Sequence, residues 1–97
     1  MADRSIYDAN GAYSASKFGL RALHDVLRAE NRGTGLRATL VSPAAVDTAI
    51  WDAHAPGRGG LPPREAMLRP EDVADAVCWA LTRPAHVDVD ELRLSRA

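Results

Sequence analysis

The sequence predicts an α/β protein in the order helix, strand, loop, helix, strand, with two parallel strands. Three observations carry this. Apolar residues recur at spacings of three and four from about Ala12 to Arg32. A strand-like stretch, Leu36 to Val41, apolar at its end, stops at Ser42-Pro43. A second helical stretch opens at Arg69-Pro70-Glu71-Asp72, and the alternating segment Glu91–Ser95 follows it. Helix and strand periods that alternate along a chain indicate layered α/β architecture. Two parallel strands joined through a helix make one crossover unit, so residues 1–97 read as a single partial domain.

The first ten residues are polar and turn-prone, with Asp8, Asn10 and Gly11 at their end. In the first helix Ala15, Phe18, Ala22, Val26 and Ala29 form a stripe that Gly19, Leu23 and Leu27 widen. Glycine costs about 1 kcal/mol against alanine on an exposed helix face. On the stripe, Gly19 would instead admit another backbone at close range. Gly33 marks the helix end, where glycine is favoured. The strand 36–41 is apolar on both faces near its end, which suits a buried parallel strand. Residues 44–63 hold Pro56, Gly57, Gly59, Gly60, Pro62 and Pro63 and read as one long irregular loop. Loops of that length inside a compact domain are usually functional. In the second helix Pro70 sits in the first turn, where its missing donor costs nothing, and Glu71 and Asp72 complement the positive dipole end. Val73, Ala76, Val77, Ala80 and Leu81 form its apolar face, and Pro84 closes it.

Twelve basic residues stand against thirteen acidic ones among 97, for a net charge of -1. That excludes a bulk electrostatic case for nucleic acid or an anionic membrane. Hydrophobic residues make up 46% and charged ones 26%, the balance of a globular chain. No apolar run approaches the roughly 20 residues of a membrane span, and the N-terminus lacks a secretory signal pattern. A single cysteine, Cys78, excludes an internal disulfide and any zinc site built on cysteine pairs. A cytoplasmic location is the resulting expectation. His24, His54 and His86 are too scattered for a metal site and read as solvated or packed side chains.

The residues with most chemical promise are Tyr13-Ser14-Ala15-Ser16-Lys17. Four residues apart, Tyr13 and Lys17 share one helix face. An ammonium beside a phenol favours the phenolate, so the phenol can exchange a proton with a carbonyl or alcohol oxygen. Most Tyr–Lys pairs at this spacing do nothing chemical, and the context has to distinguish them. Trp51 is either a packing anchor or an apolar wall of a binding site.

That context resembles the short-chain dehydrogenase/reductase family. Tyr13–Lys17 is similar to its Y-x-x-x-K motif, and GAYSASKFGLRALHDVLRAE to the long helix that carries it. Leu40–Thr48 resembles the strand and "S-P-G-x-v-x-T" turn downstream, Arg69–Ala74 the helix start after the substrate loop, and Val89–Leu92 the entry to the final strand. The resemblance spans about residues 4–95. It implies a partial Rossmann-type, doubly wound fold that uses NAD or NADP. It also implies site roles: Tyr13 and Lys17 as catalytic residues, with Tyr13 the acid/base and Lys17 also holding the nicotinamide ribose. Pro43, Val46 and Thr48 would lie against the nicotinamide. Residues 44–63 would be the substrate loop, with Ile50 and Trp51 as apolar walls.

The departures count as much. The family's T-G-x-x-x-G-x-G phosphate loop and N-N-A-G motif have no counterpart in these residues. Ala2-Asp3-Arg4 looks like the end of the stretch bearing the family's serine, which would fall at or before Met1; Ser5 is too near Tyr13 to replace it. Ala44 stands where the turn usually has glycine. The expected function is therefore that of the C-terminal part of an NAD(P)-dependent oxidoreductase acting on a carbonyl or secondary alcohol, inactive on its own. The alternatives are a non-catalytic self-associating module and a remnant that binds a small molecule or peptide. A homo-oligomer is expected, or else a chain poorly soluble alone, because strand 36–41 is apolar on both faces with only two helices to cover it and its sheet edges lack neighbours; the resemblance implies contacts through the long helix and last strand. It implies a small-molecule substrate, with no nucleic acid or membrane partner.

Overall fold

The computed structural model describes residues 11–52 and 62–97. The predicted features at Ala2–Ser5, His54 and residues 53–61 of the loop lie outside these. The described elements are two α-helices, α1 (Gly11–Glu30) and α2 (Pro70–Leu81), and a two-stranded sheet of β1 (Leu40–Pro43) and β2 (Glu91–Leu94). The Leu40 N–H donates to Asp90 O and the Ala44 N–H to Leu94 O. An unchanged offset at both ends of the pairing makes the strands parallel. The described residues divide into two compact units, 11–40 with 84–91 and 41–83 with 92–97.

In the first unit, the apolar stripe of α1 faces outward. Phe18, Leu20, Leu23, Val26 and Leu27 are exposed, Leu23 at 71%. Gly19 has no neighbouring atom where a Cβ would sit. The least exposed face is instead Ser14, Lys17, Arg21, His24 and Arg28, at alternating spacings of three and four, with His24 buried. Acceptors at Ala38 and on the 84–91 segment meet Arg21, His24 and Arg28 on this face. Arg21 pairs with Glu91. The His24 ring lies 3.2 Å from Asp90 O. Arg28 donates to Ala38 O at 2.9 Å and to the Asp88 carboxylate at 2.5 Å. A polar helix face can be shielded when each charge meets an opposite charge or a carbonyl.

Helix α1 ends as its sequence predicts. Asn31 Nδ2 and Thr34 Oγ1 donate to the carbonyls of Leu27 and Asn31, and Gly33 and Gly35 take positive φ of 82° and 88°. The strand differs from expectation, because it begins at Leu40 rather than Leu36. Residues 37–39 run beside 84–89 but are held by side chains. Arg37 donates to the carbonyls of Pro84 and Val87, the Ala38 N–H to the Asp88 carboxylate, and Thr39 Oγ1 to Val89 O. Side-chain bonds stand where a backbone ladder would extend the strand.

In the second unit Met67, Leu68 and Ala80 are buried, and Val73, Ala76 and Val77 are half-buried. Leu81, expected on that face, is exposed. The α2 N-terminus is capped by Asp72, whose carboxylate accepts the Arg69 backbone N–H at 2.8 Å and its guanidinium at 3.0 Å. At the other end Thr82 Oγ1 donates to Cys78 O and Arg83 Nε to Trp79 O, with the guanidinium stacked on the Trp79 ring. This places a cation at the negative end of the dipole.

The Asp72 cap yields a pH prediction. Its hydrogen bonds from Arg69, side chain first and then backbone, hold its pKa below the usual value of 3.8. A depressed folded value means stability present above the unfolded value and lost as pH falls through the folded one. The melting-temperature difference between the native chain and Asp72→Asn should be constant above about pH 5 and shrink below 3.8. Scanning calorimetry across that range checks it; a difference that grows on acidification would exclude the cap.

Candidate functional site

Tyr13 lies in the first turn of α1, and Lys17 follows one turn later. The helix brings the Lys17 Nζ to 5.5 Å from the centroid of the Tyr13 ring, a cation–π distance. The Tyr13 side chain is 54% exposed. Among the described residues neither the phenol nor the ammonium has a hydrogen-bond or ion-pair partner. The helix therefore brings the two side chains together, as the spacing predicts. Ser16 Oγ donates to Tyr13 O at 2.7 Å, and Ser14 Oγ is enclosed without a partner among the described residues.

The other predicted residues belong to the second unit. Ser42 is buried at the end of β1, and Pro43, Val46 and Thr48 are half-buried in the segment that follows. This segment is more ordered than the irregular loop expected of it. Val46 forms an isolated parallel bridge with Leu68: the Asp47 N–H donates to Leu68 O at 2.8 Å and the Leu68 N–H to Ala45 O at 3.0 Å. A 3-10 turn, Ala49–Trp51, comes next. Trp51 is an anchor here, because its indole N–H donates to Val46 O at 2.7 Å. Ile50 is exposed.

Arg64 is the residue that the sequence reading missed. Its Nε donates to Asp47 Oδ1 at 2.7 Å, its Nη1 to Asp52 Oδ1 at 2.7 Å and its Nη2 to Thr48 O at 2.9 Å. Asp52 first and then Asp47 raise its pKa above the ordinary arginine value, so the fork stays charged. No spacing rule links a loop arginine to partners 12 to 17 residues away. The only sequence signal is two acids before the loop and a cation after it.

An open cleft of about 320 Å³ in the first unit is lined by Arg28, Arg32, Arg37, His86 and Asp88 among others. It contains none of the predicted site residues. Among the described residues no group of histidine, cysteine and carboxylate side chains could hold a metal ion, and no helix is long and apolar enough to cross a membrane.

The profile of a family described as "short chain dehydrogenase" matches residues 1–58. Over 95 residues the chain is 40% identical to the glycine betaine reductase of Emericella nidulans, covering 94% of this chain and 8% of that protein. Over 80 residues it is 40% identical to an uncharacterized oxidoreductase of Staphylococcus aureus strain MW2, covering 82% of this chain and 32% of that one. Among solved structures it is similar to an alcohol dehydrogenase from Thermococcus sibiricus in complex with 5-hydroxy-NADP. That match has a TM-score of 0.74 and 29% identity, and covers 99% of this chain and 38% of the other. The chain thus spans less than two fifths of the length of each of these relatives. The described elements form part of a Rossmann-type α/β fold.

Proposed function

Since the chain belongs to the short-chain dehydrogenase family, we propose that it supplies the Tyr–Lys part of an NAD(P)-dependent oxidoreductase acting on a carbonyl or secondary alcohol. The observation that carries this is the Tyr13–Lys17 pair, stacked at 5.5 Å with both polar ends open among the described residues.

The donor chemistry fits a nicotinamide ribose. An ammonium with three protons and no carboxylate partner among the described residues suits two vicinal hydroxyls. The Val46 N–H and Thr48 hydroxyl likewise have no partner among those residues and suit a carboxamide. When bound, the cofactor supplies or accepts the hydride. Tyr13 donates its phenolic proton to the substrate oxygen as a carbonyl becomes an alcohol, and recovers it in the reverse direction. Lys17 holds the ribose and, as a nearby cation, favours the phenolate. Pro43, Val46 and Thr48 hold the nicotinamide.

These 97 residues contain no glycine-rich phosphate loop, so no helix N-terminus of that motif neutralises the pyrophosphate. The chain alone is therefore expected not to turn over NADH or NADPH with carbonyl substrates. Cofactor oxidation by the purified chain, abolished in Tyr13→Phe, would overturn that. The site itself is tested with nicotinamide mononucleotide, which lacks the second nucleotide. Weak binding should shift the amide resonances of Tyr13, Lys17, Val46 and Thr48; the absence of shifts at all four would overturn the assignment.

A second reading concerns assembly. The exposed stripe of Phe18, Leu20, Leu23, Val26 and Leu27 supports self-association through α1. A second copy fits it best, because a helix face of that composition is complementary to itself across a two-fold axis. This reading holds whether or not the chain is catalytic. It keeps a small-molecule substrate and requires neither nucleic acid nor membrane.

A further inference from the structure

We infer that Arg64 is a positioning residue, whose guanidinium fork sets the conformation of the Val46–Thr48 turn for the nicotinamide. The inference rests on the reading that Val46 and Thr48 contact that group.

Thr48 is in extended backbone at φ -135° and ψ 170°, immediately before the 3-10 turn. Its side chain makes no capping bond to that turn. The local chain therefore provides little to fix it. Its carbonyl is held by one donor from within the turn and one from a distance. The Thr48 carbonyl accepts from Arg64 Nη2 at 2.9 Å and from the Trp51 N–H at 3.2 Å. The residue before it is tied by its carboxylate to Arg64 Nε, and the residue after the 3-10 turn by its carboxylate to Nη1. One planar group thus spans three acceptors across Asp47–Asp52. Only guanidinium presents donors in that fixed fork; an ammonium carries the charge without the geometry.

Arg64 lies in its own 3-10 turn, Arg64–Ala66, closed by the Met67 N–H to Arg64 O bond. The adjoining Leu68 makes the backbone bridge to Val46. The turn is consequently held twice from the same short segment, by the Leu68 backbone on Val46 and by the Arg64 side chain on Thr48. Loss of Arg64 should release Thr48 and leave the Leu68 bridge in place, so the variant should remain folded.

The experiment uses the whole chain in native, Arg64→Lys, Arg64→Gln and Asp52→Asn forms. The first readout is hydrogen exchange at the Trp51 indole, whose bond to Val46 O reports the turn without any cofactor. The second is the amide shift that nicotinamide mononucleotide causes at Val46 and Thr48 relative to Lys17. Both Arg64 variants should accelerate indole exchange about fivefold or more, since charge-assisted bonds are lost together. Asp52→Asn should fall between these and the native chain. The Val46 and Thr48 shifts should disappear in both Arg64 variants while the Lys17 shift persists.

Unchanged indole exchange in Arg64→Gln would overturn the inference. So would full rescue by Arg64→Lys, which would make charge rather than the fork responsible. If exchange accelerates but the native chain shows no shift at any of the four positions, the cofactor reading fails, and this role of Arg64 with it. If the native shifts at Val46 and Thr48 survive in the variants, the cofactor reading stands and the positioning role alone is lost.

Discussion

A chain carrying Leu23→Glu and Leu27→Glu is expected to run as a monomer where the native chain self-associates. Both leucines lie on the exposed face of α1, with Leu20, Val26 and Phe18 beside them. Each large apolar side chain left in water forgoes about 1.5–3 kcal/mol. In a two-fold interface every substitution acts twice. Even after the cost of ordering an interface, the dissociation constant should rise about a thousandfold or more. Glutamate is a good helix former, so helix content should not fall. Light scattering with circular dichroism on the same samples separates loss of assembly from loss of fold. A native chain that is monodisperse and monomeric at micromolar concentration would refute the self-association reading.

The helices were legible because their signals are local. Pro70 with Glu71 and Asp72 marks the start of α2, and Gly33 the end of α1; each acts through backbone within one turn of itself. The Tyr13–Lys17 pair was legible for the same reason, since four residues on a helix fix the distance between two side chains. The strand at 36–41 was displaced because its apolar pattern says nothing about competing side-chain bonds. Asp88 accepts the Ala38 N–H and Thr39 donates to Val89, from residues 50 positions away.

The ordinary rule that an apolar stripe is the shielded one does not by itself orient α1. The rule assumes that the chain at hand provides the cover. Here the chain provides cover for Arg21, His24 and Arg28, through carboxylates at 88, 90 and 91, and leaves the apolar stripe outside. The sequence hint was present in the acidic run Asp88-Val89-Asp90-Glu91, but matching it to three residues some 60 to 70 positions earlier needs the fold. Arg64 was illegible on the same ground, since its three acceptors have no periodic relation to it.

Arg28→Ala is expected to cost much more stability than removal of an exposed cation such as Arg69. Arg28 donates to Ala38 O and to Asp88 through Nη1 and lies 3.2 Å from Asp90 through Nε. Its side chain is only 26% exposed and that of Asp88 31%. These values separate it from surface pairs worth about 0–1 kcal/mol, because water cannot fully replace the lost partner. Removal leaves the Ala38 carbonyl without this donor and a half-buried carboxylate without its cation. Hydrogen bonds to charged groups contribute about 1.5–3 kcal/mol, so a loss of about 2 kcal/mol is expected. For a chain of this size that corresponds to about 8–16 °C in melting temperature. Arg28→Lys should recover part of it, since an ammonium keeps the charge but lacks the fixed fork of the guanidinium. Arg69→Ala is the contrast: its side chain is 71% exposed, and little change in melting temperature is expected. Equal melting temperatures for Arg28→Ala and Arg69→Ala would mean that the inward stripe of α1 is held by something other than these charges.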